Sequence, residues 1–128
     1  MSDKKIEKFT DLDAWQLSHE LVLMIYEVTN NFPTEEKFGL TSQLRRAVIS
    51  ITSNIAEGFS RFYFGDKLRF YYNARGSLSE VESQLITAKD VGLLDEERFG
   101  ELMERVQRVE IVINGLIRST KGLKDKHF

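Results

Sequence analysis

Apolar residues return every three or four positions along three long stretches, the spacing of one helix face. Leu40, Leu44, Ala47, Val48, Ile51, Ile55, Phe59 and Phe62 form one stripe. Tyr71, Ala74, Leu78, Val81, Leu85 and Ala88 form a second, and Phe99, Leu102, Val106, Val109, Ile113 and Leu116 a third. Breakers are few: one proline, Pro33, and eight glycines. The pattern predicts four helices. The first spans about Leu12 to Asn30, capped by Thr10 or Asp11 and stopped before Pro33. The second spans about Thr41 to Phe62, with a short turn at Thr34 to Phe38 ahead of it. The third spans about Asp66 to Val91 and ends at Gly92, a left-handed cap. The fourth starts at Asp95 and ends near Lys121 and Gly122. Short connections make neighbours antiparallel. The expected fold is all-α: an antiparallel up-down four-helix bundle, one domain over residues 1–128, with frayed charged tails at about 1–8 and 123–128.

The first helix carries more apolar surface than one core needs. Asp13, Gln16, Glu20, Glu27 and Asn31 make a single narrow polar stripe. Leu17, Leu21, Met24 and Val28 belong to its surplus apolar faces. Ile49, Ala56 and Tyr63 flank the second stripe, and Tyr72 lies off the third. These eight are candidate oligomer contacts, because a lone bundle would leave such faces as exposed patches. The alternative is that helix packing within one subunit covers them.

Composition narrows the function. The chain has no cysteine, which excludes a disulfide framework, a thiolate metal site and a Cys nucleophile, and fits a reducing cytoplasm. No apolar run approaches the roughly 18 residues that span a bilayer. The acidic polar stripe of the first helix argues against a membrane-surface helix. Net charge is −2, so overall charge does not hold this chain to a polyanion.

Local charge differs. From Thr41 to Arg75, Arg45, Arg46, Arg61, Lys67, Arg69 and Arg75 face only Glu57 and Asp66, a balance of +4. Seven of the fourteen aromatics fall between Phe59 and Tyr72. Guanidinium groups hold phosphates and aromatic rings stack bases, so the six basic residues are candidate RNA or DNA contacts. Arg and aromatic residues also enrich protein interfaces, and Phe59, Phe62 and Tyr71 sit on core stripes.

Glu57, Glu82 and Arg75 stand at stripe edges and are candidates for a structural polar pair across helices, with Glu57 or Glu82 meeting an arginine. Gln43, Ser50, Asn54 and Arg61 share the edge of the second helix. Gly76 and Gly115 are read as points of close helix approach. No catalytic residue, metal site or cofactor is predicted. His19 and His127 lack metal-ligand spacing, and neither a Gly-rich phosphate loop nor a Gly-x-Ser-x-Gly turn is present.

The segment FGLTSQLRRAVISITSNIAEGFSR, Phe38 to Arg61, together with ARGSLSEVESQL at Ala74 to Leu85, resembles the four-helix-bundle family of bacterial 23S rRNA intervening-sequence proteins. Phe9, Leu12, Trp15, Tyr26, Phe32-Pro33 and Val91-Gly92-Leu93-Leu94 are similar too, so the resemblance covers roughly residues 9–117. It implies a left-handed bundle that assembles into a homo-oligomeric ring, typically a pentamer. It also implies similarity in fold to the accessory variability determinant of diversity-generating retroelements, a basic ring that binds nucleic acid and a reverse transcriptase. Two functions are carried forward. One is a ring-forming, non-enzymatic adaptor for RNA or DNA through the Arg45–Arg75 segment. The other is a scaffold with protein partners only, whose arginines serve subunit contacts.

Overall fold

The computed structural model describes residues 4–127; residues 1–3, Phe128 and the side chain of His127 lie outside it. Among the described residues there are four α-helices and no strand. They are α1 (Asp13–Thr29), α2 (Leu40–Ser60), α3 (Phe64–Asp90) and α4 (Glu96–His127), with 3-10 turns at Phe9–Asp11 and Thr34–Glu36. Each helix packs on two others: α1 on α2 and α4, α3 on α2 and α4. Cross-helix pairs run in opposite order along α2 and α3, where Arg46 meets Glu80 and Ser50 meets Ser77. The same holds for Glu20–Arg105 and Glu27–Arg98 between α1 and α4.

The three apolar stripes meet at the centre. Leu44, Ile51 and Ile55 of α2, Val81 and Leu85 of α3, and Leu102, Val109 and Ile113 of α4 are fully buried. Each Leu or Ile buried this way contributes roughly 1.5–3 kcal/mol. Leu21 and Val28 of α1 are buried in this core, not on an exposed face. They account for part of the apolar arc of α1, while Leu23 and Tyr26 remain exposed. Leu17 and Met24 are half-buried against the core, as is Ala56 in its own helix, while Ile49, Tyr63 and Tyr72 are exposed.

The helix ends show where local chemistry overrides pattern. Asp11 does not cap α1. Its carboxylate accepts the N–H groups of Glu7 and Lys8 at 2.9 and 3.0 Å, which hold its carboxyl below the usual range. The helix therefore begins at Asp13, and Lys4 returns to pair with that residue at 2.8 Å, tying residues 4–8 to the bundle. α2 stops at Ser60, and the Lys67 ammonium donates to the carbonyl of Phe59 at 2.8 Å, satisfying an acceptor that the helix end leaves unpaired. Phe62 then falls in the three-residue link and is 82% exposed, not part of the core stripe. α4 runs through Gly122 to His127, past the expected end near Lys121 and Gly122. Lys121, Lys124 and Lys126 suit the negative end of its dipole.

The α3–α4 turn follows the sequence signals. Gly92 has φ of +87°, the left-handed region, and the Leu93 N–H donates to the Ala88 carbonyl at 2.8 Å. Asp95 then caps α4 by accepting the Arg98 N–H at 2.8 Å. Gly76 and Gly115 are not points of close approach: a Cβ at Gly76 meets nothing, and one at Gly115 meets only the Arg118 side chain at 3.9 Å.

Candidate nucleic-acid interface

The six basic residues of the Arg45–Arg75 segment do not form one patch, because α2 and α3 turn them into three grooves. Arg45 lies between α1 and α2. Its guanidinium stacks over Tyr26 at 4.5 Å and donates to Thr29 Oγ1 at 2.9 Å and Asn30 Oδ1 at 3.0 Å. It is the pin that holds the end of α1 on α2. Arg46 lies between α2 and α3, where it donates to Gln43 and ion-pairs with Glu80.

Arg61 and Lys67 also belong to the α2–α3 seam. Arg61 pairs with Glu57 at 2.8 Å and lies over the Phe70 ring at 4.7 Å. Lys67 sits over Phe59 at 5.4 Å while capping α2, and burial pushes its ammonium below the ordinary lysine range. Between these residues, Ser50 and Ser77 share a 2.9 Å hydrogen bond and the Asn54 amide donates to the Ser50 carbonyl at 2.8 Å. The interleaving of arginines and aromatic rings is therefore largely intramolecular cation–π contact.

Of the candidate pair, Glu57 does meet an arginine of the basic segment, Arg61, but not across helices. Glu57 pairs one turn along its own helix, on the surface. Arg75 donates to Asn114 of α4 at 3.1 Å and not to Glu82, which lies two turns along the same helix. Glu80 is the carboxylate that bridges α2 and α3. His19 stacks on Trp15 with ring centroids 4.7 Å apart. Among the described residues no cluster of His, Cys, Asp or Glu could hold a metal ion, and no helix is long and apolar enough to cross a membrane.

Arg69 and Arg75 remain, and α4 supplies their company. Arg69, Tyr72 and Asn73 of α3 share a surface groove with Lys121 and Lys124. Arg75 and Asn114 continue it toward Arg118 and Lys121. Arg118, Lys121 and Lys124 lie outside the predicted segment. Their spacing of three on one helix was a usable signal, but it joins Arg69 and Arg75 only once α4 is seen to pack on α3.

The charges separate by bundle end. Residues 4–20, 51–77 and 112–126, which share one half of the bundle, hold 11 Lys and Arg against 7 Asp and Glu. Residues 21–50 and 78–111, in the other half, hold 7 against 12. A net charge near zero thus conceals a basic end and an acidic end.

Comparison with known proteins agrees with this architecture. The family described as 23S rRNA-intervening sequence protein matches residues 10–115. A solved crystal structure, of a protein with unknown function from the S23 ribosomal protein family of Bacteroides thetaiotaomicron VPI-5482, has a similar fold. The match has a TM-score of 0.73 at 19% identity and covers 81% of this chain and 97% of that one. No curated protein matches the chain. With four helices packed around one core and the family's pattern along 10–115, the chain belongs to the 23S rRNA-intervening sequence protein family.

Proposed function

We propose that this protein is a non-enzymatic adaptor that assembles as a homo-oligomeric ring of antiparallel, left-handed bundles, typically a pentamer, and binds RNA or DNA at its basic end in the cytoplasm. The observation that carries this reading is the segregation of charge: a chain of net charge −2 gathers an excess of cations over carboxylates at one end of the bundle, beside exposed aromatic rings. Such a surface attracts a polyanion that the whole chain would not. A ring repeats the surface on every subunit, which turns modest local affinity into avidity. The family's name makes RNA the first ligand to test. The test is fluorescence anisotropy of the purified protein with single-stranded and structured RNA and DNA. Saturable binding that weakens with added salt supports the reading; no binding at low salt overturns it.

A second reading has its own observation. Arg45, Arg46 and Arg61 are engaged within the fold, by Thr29, Glu80 and Glu57, so the RR pair of α2 serves helix packing. A scaffold whose partners are proteins is the function that remains if nucleic acid is not bound.

A further inference from the structure

We infer that the groove between the first half of α3 and the last half of α4 is a binding site for single-stranded nucleic acid, held by Arg69, Arg75, Arg118, Lys121 and Lys124 and by the Tyr72 ring. The inference rests on the nucleic-acid reading above and assigns it a place and a ligand form.

Two helices build the site from opposite sides. Ten residues separate Gly65 from Arg75 on α3, so the groove runs about 15 Å at 1.5 Å per residue. All five cations are exposed. Residues 64–77 and 112–126 hold seven Lys and Arg against Asp66 and Asp125. Arg46, Arg61, Arg98 and Arg105 each hold a carboxylate. Among the described residues, no ion pair engages the five cations of the groove, so their charge is free for phosphates. The acidic half of the bundle repels a polyanion and leaves this end as its approach.

The aromatic groups decide the form of the ligand. Tyr72 lies in the groove, 37% exposed, with the Arg75 guanidinium 5.1 Å from its ring. At the same end, Phe62 and Tyr63 are 82% and 59% exposed and meet edge to face at 5.0 Å. Exposed rings flanked by cations are stacking platforms for unpaired bases. A duplex keeps its bases stacked on one another and gives these rings nothing. Asn73 and Asn114 supply amides for base edges or sugar hydroxyls.

The test compares a labelled single-stranded RNA with its duplex, by anisotropy, against the full-length protein and three variants. Arg118→Glu with Lys121→Glu is expected to weaken single-strand binding at least about tenfold. Tyr72→Ala is expected to weaken it roughly 5- to 150-fold. Lys37→Glu with Arg108→Glu, the same charge change in the other half, leaves it within about twofold. Arg118→Gln with Lys121→Gln replaces the first variant if its circular dichroism shows loss of helix. Equal or tighter binding of the duplex overturns the single-strand assignment. Binding unchanged by the groove variants overturns the site while the adaptor reading stands. Absence of any nucleic-acid binding overturns both.

Discussion

Gly58 of α2 lies against the ring of Tyr71 on α3. A Cβ at position 58 would come within 2.7 Å of Tyr71 Cε1 and 3.0 Å of Phe70 Cβ. Tyr71 is 2% exposed, so its ring has nowhere to move. This contact explains the glycine in the Asn-Ile-Ala-Glu-Gly run better than backbone freedom does, since Gly58 is helical. Gly58→Ala gains about 1 kcal/mol of helix propensity but overpacks the contact by about 1–3 kcal/mol. The variant should melt several degrees lower in thermal denaturation followed by circular dichroism. A higher melting temperature would mean that α2 and α3 do not approach so closely.

Burial pushes the Tyr71 hydroxyl up to about 12 from its ordinary value of 10.0. The unfolded chain loses this proton near pH 10 while the folded chain keeps it, so the unfolded state binds fewer protons above that pH. Stability from this group is complete below pH 10 and declines as pH rises toward 12. Melting temperatures measured from pH 8 to 11.5 should fall at the alkaline end, and Tyr71→Phe should soften that fall.

The seam between α2 and α3 contains ion pairs that are mostly wet. Glu57 and Arg61 are both exposed and one helical turn apart, a pair worth about 0.3–0.5 kcal/mol. Glu57→Gln should shift the melting temperature by no more than about 2 °C. A core truncation such as Leu85→Ala should cost about 2–5 kcal/mol. A large loss in Glu57→Gln would mean that its carboxylate is desolvated by a neighbouring subunit.

Ile49 is 40% exposed on α2, outside the core of the bundle. In a ring of the kind proposed, it is among the apolar residues a second copy would cover. Ile49→Asp should leave helicity and single-subunit folding intact and lower the mass seen by light scattering after gel filtration. An unchanged mass removes Ile49 from the interface.

The bundle was legible because three helices bury one regular stripe each, and burial is what makes a stripe. Helix ends were less so, since local contacts settle around them: Asp11 turns its carboxylate upstream, and Lys67 satisfies an end carbonyl of α2 before Phe62. The apolar arc on α1 divides: Leu21 and Val28 are buried in the core, while Leu23 and Tyr26 stay exposed. The basic groove was only half legible. Arg69 and Arg75 stood out in the basic segment, but Arg45 and Arg46 are bound into the fold. Arg118, Lys121 and Lys124 were hidden in a stretch whose carboxylates, Asp125 apart, lie at the other end of the bundle. Charge added along the chain mixes the two ends; charge added by height along the bundle separates them.

The most direct measurement is the salt dependence of single-stranded RNA binding by the intact protein. Three to five phosphate contacts in the α3–α4 groove predict that log K falls against log salt with a slope of about −2 to −3.5, and that the slope shrinks when Arg118 and Lys121 become Glu. Binding with no salt dependence, or none at all at about 50 mM salt, contradicts the account and leaves the scaffold reading in its place.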